Sequence, residues 1–247
     1  MKLTVIGCSG SAPGPGTAAS CYLLESEGYR LVLDLGSGAL AALQRVVRAD
    51  ELDAIFLSHL HPDHCVDMAS LAVVLRYGSP ALRSPCPVIG PPDSARHLLD
   101  IYYPGSPSSA FAGLFEFRAP GEHRLGPFSV RTTRVNHPVP AFAIRVEAGG
   151  RSLIYSGDTA GCPALIELAR GADVLLCEAG WAGSPAPVPG IHLSGREAGE
   201  HATAAGVGRL LLTHIPAWGS IDAAVAGARE AYAGNVVAVA SDDVFEL

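Results

Sequence analysis

Lysine is nearly missing from this 247-residue chain: Lys2 is the only one among 17 cationic residues, set against 24 aspartates and glutamates. With a net charge of −7 and no basic run, a broad surface for nucleic acid or anionic lipid is excluded. Cysteine is sparse, and its six copies (8, 21, 65, 86, 162, 177) form no Cys-x-x-Cys pair. They read as small buried hydrophobes in a reducing compartment. No apolar run reaches membrane length, and "KLTVIGC" at the start already reads as a strand rather than a signal peptide. The expectation is a soluble, cytoplasmic protein with no membrane partner. Disorder is excluded too, because 49% of the residues are hydrophobic, enough for a core.

Short apolar runs alternate with helical stretches along the whole length. "LTVIG", "CYLLES" and "RLVLDLG" read as strands, "SGALAALQRVV" as a helix and "LDAIFLSH" as a buried strand. An apolar helix follows over 63–77, then Pro/Ser/Gly-rich loops (78–92, 103–110) around a strand "PVIG" and a helix near 93–102. A second run of sheet comes from "LFEFR", "FSVRTTRV", "AFAIRVEA" and "RSLIYSG". Helices at 163–170, 195–206 and 221–232 then alternate with "DVLLCEA", "RLLLTH" and "NVVAVA", with a proline-rich loop at 184–190. No linker divides the chain, so 1–247 is expected to be one domain. Two halves that each mix sheet and helix predict an α/β fold, a four-layer sandwich with its site where strands end.

The densest chemistry is "SHLHPDHCVDM" (58–68), with three histidines and two aspartates in eleven positions. Pro62 and Asp63 suit a helix start, but His-x-His-x-Asp-His directly after an apolar strand also supplies the imidazole and carboxylate donors of half a two-metal site. The other half is expected at further strand ends. His137 in "RVNHPVP", Asp158 in "LIYSGDT" and His214 in "RLLLTH" each follow an expected strand. Any one of them alone reads as a cap or turn residue; three together, after the first motif, point to metal.

With these motifs the chain closely resembles the metallo-β-lactamase superfamily over essentially its whole length. The resemblance implies an αββα sandwich and two divalent cations per chain, zinc ahead of manganese or iron. His59, His61 and His137 would hold one ion, Asp63, His64 and His214 the other, and Asp158 would bridge them. Asp34 in "LDLGSG" matches a position that supports the ligand shell, and reads equally as a strand-end cap. Within the superfamily, "LLCEAGW" (175–181) and "IHLSGREAGEHATAAGVGRLLLTH" (191–214) resemble segments of ribonuclease Z and its relatives. There a glutamate and a histidine form a proton relay, a role that carries to Glu178 and His192. Ser194 and Glu197 stand at capping-box spacing, which gives the serine a structural reading beside a weak substrate-binding one.

Two departures from ribonuclease Z bear on substrate. Only 20 residues separate His137 from Asp158, leaving no room for the long basic arm that grips tRNA, and "PGPGTA" (13–18) replaces a cationic loop. Nucleic acid is therefore not expected as a partner. "GCSGS", "YSGDT", "LCEA" and the "HLSG…EAG…LLLTHIP" segment are similar to short actinobacterial proteins described as atypical class II cyclic-nucleotide phosphodiesterases. That resemblance implies a small phosphodiester substrate such as cyclic AMP, attacked by a hydroxide held between two metals, with Asp63 as ligand and orienter. The alternatives are a tRNA 3′-end endonuclease and a metallo-hydrolase of a thioester, lactone or β-lactam. Trp181 and Trp218 could stack on a base or pack in the core. His97, His123 and His201 are expected on the surface, without a site role. Loop 103–112 is a candidate lid. The apolar helix 66–77 is expected either to be buried or to form part of a homodimer interface, since relatives are commonly dimers.

Overall fold

The computed structural model describes residues 1–78, 85–105, 111–182 and 188–247. Residues 106–110 of the candidate lid at 103–112, and 184–187 of the proline-rich loop at 184–190, lie outside them. One sheet contains β1 (Lys2–Ser9), β2 (Ala18–Ala19), β3 (Cys21–Ser26), β4 (Tyr29–Leu33), β5 (Ala54–Phe56), β6 (Cys86–Ile89), β7 (Phe115–Arg118) and the last strand, β15 (Val244–Glu246). Their order is β15-β1-β3-β4-β5-β6-β7, with β2 beside β1. The other sheet runs β14-β13-β12-β11-β10-β9-β8. It is built from β8 (Glu122–Leu125), β9 (Phe128–Arg134), β10 (Phe142–Ala148), β11 (Arg151–Tyr155), β12 (Val174–Glu178), β13 (Arg209–Thr213) and β14 (Asn235–Ala238). In both sheets the antiparallel hairpins occupy one half and parallel strands the other.

Strand alternation sorts the side chains into layers. In β4, Leu31 and Leu33 face the second sheet, meeting Val146, Leu153, Tyr155 and Leu176 in a shared apolar layer. Val32 between them faces outward, with Ile55 and Val88, onto helices α1 (Ala39–Leu43), α3 (Asp67–Tyr77) and α4 (Ser94–Tyr102). The second sheet repeats the device. Ile154, Leu175, Leu210 and Leu212 turn outward onto α5 (Pro163–Ala169), α6 (Gly195–Ala205) and α7 (Ile221–Ala231). The result is helix, sheet, sheet, helix. Strands buried on both faces are near-continuous apolar runs, which is why the central ones stand out in the sequence.

Several expectations need correction. The helix over 63–77 is two pieces, α2 (Pro62–Cys65) and α3, because the Asp67 amide leaves the helical ladder to donate to the Leu35 carbonyl. Of α3, Met68, Leu71, Ala72 and Leu75 are buried in the sandwich, while Val73 and Tyr77 are exposed. The helix from Ser37 shrinks to Ala39–Leu43, followed by turns. β8 and β15 were not foreseen: both are edge strands with mostly uncovered side chains, so no apolar alternation marks them. His201 is not on the surface. It is buried, accepting from the Cys162 amide at Nε2 and donating to the Glu197 carbonyl from Nδ1.

Candidate metal centre

The candidate ligands gather where strands of both sheets end. β5 leaves the sheet at Phe56, and the next residues carry His59 and His61 before Pro62 opens α2, where a missing amide hydrogen costs nothing. Asp63 and His64 then project from α2. His137 follows β9, Asp158 follows β11 and His214 follows β13. His214 has φ +56°, a backbone conformation that non-glycine residues rarely adopt. The chain also passes very close to its neighbours here. A Cβ on Gly36 would lie 1.9 Å from the Asp63 carbonyl oxygen, and one on Gly10 would lie 2.3 Å from that of His214. Only glycine fits at either place.

Two clusters result: His59, His61, His137 and Asp158, and Asp63, His64, Asp158 and His214. In the first, His61 Nδ1 lies 3.0 Å from His59 Nε2 and 3.3 Å from His137 Nε2. In the second, His214 Nε2 lies 3.2 Å from His64 Nε2, 3.1 Å from Asp63 Oδ2 and 3.3 Å from Asp158 Oδ1. A tetrahedral cation with bonds of about 2.0–2.1 Å sets neighbouring donors about 3.3 Å apart. The side chains therefore already hold the spacing of a coordination shell. Asp158 Oδ1 is buried and makes no well-directed hydrogen bond despite its two imidazole neighbours, as expected of an atom placed for a cation. Asp158 belongs to both clusters, the position a bridging carboxylate requires.

The outward nitrogens of His64 and His137 are fixed from behind. Asp34, fully buried, accepts 2.7 Å hydrogen bonds from the Ser58 amide, the Ser58 hydroxyl, His64 Nδ1 and the Tyr155 hydroxyl. His137 Nδ1 donates to the Ile191 carbonyl at 2.9 Å. Each bond commits one ring nitrogen and leaves the other's lone pair for the cluster. Asp34 thus acts on the ligand shell and also caps the end of β5 through the Ser58 amide. Ser58 and Tyr155 were not singled out in the sequence. Their only signal was position, one residue before His59 and three before Asp158.

Electrostatics follow from burial and proximity. Burial holds His59 well below the ordinary imidazole range, and lowers His61 and His137 as well, keeping them neutral donors. For His64 burial pulls the same way, but the Asp158 and Asp34 carboxylates outweigh it and raise the ring well above its usual value. Burial opposes ionisation of Asp63 and Asp158. The imidazoles of His214 and His64 override it in both and hold them low.

His192 stands beside both clusters, its ring centroid 5.8 Å from that of His137 and 5.3 Å from that of His214. Its Nδ1 lies 3.1 Å from Glu178 Oε1. The fully buried Glu178 also accepts from the Thr159 amide at 2.6 Å and the Gly180 amide at 2.9 Å. Burial raises the Glu178 carboxyl. On His192 burial acts downward, but the hydrogen bond it donates to Glu178 outweighs this and raises the ring. Trp181 packs edge-on against His192 at 5.2 Å. Two other candidates are not brought in. Ser194 is the N-cap of α6, its hydroxyl bonded within a capping box to Glu197. Trp218 is 72% exposed to solvent.

Comparison with known proteins agrees with the fold. The family described as "Beta-lactamase superfamily domain" matches residues 29–215. The "Probable metallo-hydrolase YhfI" of Bacillus subtilis is 32% identical over the full length of both chains. Its crystal structure superposes with a TM-score of 0.88 at 30% identity, covering 99% of each chain. An uncharacterised protein of Mycobacterium leprae is 42% identical over all of this chain and 89% of its own. A ribonuclease Z of Mycobacterium bovis is 29% identical over 89% of this chain and 88% of its own. The chain belongs to the metallo-β-lactamase superfamily. It is a metallo-hydrolase, with ribonuclease Z and YhfI among its relatives.

Proposed function

We propose that this chain is a phosphodiesterase for small phosphodiesters, with 3′,5′-cyclic nucleotides such as cyclic AMP as substrates, working with two divalent cations per chain, zinc first. The observation that carries the reading is the His192–Glu178 pair beside the two clusters. A departing ribose oxygen needs a proton, and an imidazole locked by a glutamate beside the clusters is placed to supply it. The ribonuclease Z relative supports a phosphodiester as the bond cleaved. The span that would carry a tRNA-gripping arm is β10, a Gly149–Gly150 turn and β11, which supports a small substrate over tRNA.

Bound at the two clusters, the cations would lower the pKa of a water and neutralise charge on the phosphoryl oxygens. His59, His61 and His137 would hold one, Asp63, His64 and His214 the other, with Asp158 shared. Asp63 also orients the attacking water by accepting from it. Water oxygen forms the new bond to phosphorus, in line with the ester bond that breaks. Glu178, anchored by two backbone amides, keeps its hydrogen bond with His192 Nδ1, and His192 Nε2 delivers a proton to the leaving oxygen as general acid. Trp181 fixes the tilt of the imidazole. The testing experiment offers purified protein cyclic AMP, bis(p-nitrophenyl) phosphate and a tRNA precursor in parallel. The first two should be hydrolysed and the third left intact; site-specific tRNA cleavage with a steep salt dependence would favour the endonuclease instead.

A further inference from the structure

Beside the metal clusters a cavity of about 310 Å³ opens, lined by Leu60, His61, Pro91, Pro92, Val139 and Pro140 together with Asp93 and His97. Its walls come from the loops after β5, β6 and β9, the same sheet ends that carry the ligands. His61 belongs to both places. Its Nδ1 faces His59 and His137, while the residue also forms part of the cavity wall. Anything held at phosphorus between the clusters is thus one imidazole away from this space. The volume is at the lower end of small-molecule pockets, and the walls are mostly flat, apolar side chains suited to a planar ring.

Asp93, an exposed residue of this lining, has hydrogen-bonding capacity to offer. Asp93 is the N-cap of α4, a position where aspartate ordinarily accepts from a first-turn amide. Here its side chain makes no capping bond.

We propose that this cavity receives the purine base of the substrate nucleotide, with Asp93 accepting from the exocyclic amino group of adenine. The proposal rests on the phosphodiesterase reading, from which its test can be separated. kcat/KM is measured for cyclic AMP, cyclic IMP (a carbonyl in place of the amino group) and bis(p-nitrophenyl) phosphate, using wild type, Asp93→Asn and Val139→Trp. Wild type should favour cyclic AMP over cyclic IMP about tenfold, the worth of one hydrogen bond to a charged group. Asp93→Asn, whose amide can donate to a carbonyl, should erase that preference. Val139→Trp, filling the cavity, should lower the ratio of cyclic AMP to bis(p-nitrophenyl) phosphate turnover at least tenfold. Retention of the wild-type base preference in Asp93→Asn, or an equal loss on both substrates in Val139→Trp, overturns the base site and leaves the phosphodiesterase reading standing. If wild type hydrolyses none of the three, that reading falls. The cavity is then judged by saturation-transfer NMR with adenosine: signals in wild type that vanish in Val139→Trp support a base site, and signals absent or unchanged overturn it.

Discussion

His192 and His201 sit nine residues apart, and their surroundings set them to opposite tasks. His201 has both ring nitrogens consumed by backbone groups; it ties α6 to the loop before α5. His192 commits only Nδ1, to a glutamate held by two amides. His192→Ala should keep the metals yet lower cyclic AMP turnover by about 10²–10⁴-fold, the usual worth of a general acid. The loss should shrink on bis(p-nitrophenyl) phosphate, whose leaving group scarcely needs a proton. An equal loss on both substrates in steady-state kinetics would make His192 a binding residue. Behind the second cluster, Asp34→Ala should weaken metal affinity about 10–100-fold, read by metal titration; unchanged affinity would reduce Asp34 to a cap. Most ligand-type residues were legible because they follow an apolar run at a strand end, and His137, after the mixed stretch 131–136, because it follows a strand. Ser58, Tyr155 and the burial of His201 were not, since a hydroxyl or imidazole shows its partner only once distant segments meet.

At the scale of elements, α6 separates a structural serine from a substrate contact. Ser194 Oγ accepts from the Glu197 amide while Glu197 Oε2 reaches back to the Ser194 amide, so two otherwise unpaired donors are satisfied. Ser194→Ala should therefore cost about 1 kcal/mol, a fall in Tm of about 2–4 °C for a chain this size. KM for cyclic AMP should stay unchanged, and a raised KM with unaltered Tm would return the serine to the substrate. Acid acts on another link. Asp173 joins β11 to β12 by accepting from the Ser152 amide and hydroxyl and from Arg151. Burial works against its ionisation, but these bonds, the Ser152 hydroxyl foremost, hold its pKa below the usual 3.8. Its stabilisation is present above pH 4 and is lost as pH falls through the lowered folded value. Asp173→Asn should thus destabilise by about 1 kcal/mol at pH 7, and by less in urea melts near pH 3. The elements themselves were readable in proportion to burial. β4, β5, β12 and β13, covered on both faces, announce themselves as unbroken apolar runs, whereas β8 and β15 at sheet edges carry no such pattern.

Across the whole molecule, two sheets of similar design place their loops at one common edge, and Asp158 stands where the two clusters meet. The four layers could be read from the order of strands and helices. That donors from residues 59 to 214 converge at 3.0–3.3 Å could not, because spacing in space depends on how the two sheets pack. Among the described residues no helix is long and apolar enough to cross a membrane. The central claim is that cyclic-nucleotide hydrolysis depends on cations held at both clusters. Its most direct test is a titration of verified metal-free protein with zinc, following cyclic AMP hydrolysis against bound metal. Turnover should be absent at the start and rise until about two equivalents are bound, and Asp158→Ala should reach neither that occupancy nor that rate. Full hydrolysis by the metal-free protein, or full activity at zero occupancy of either cluster, would contradict it.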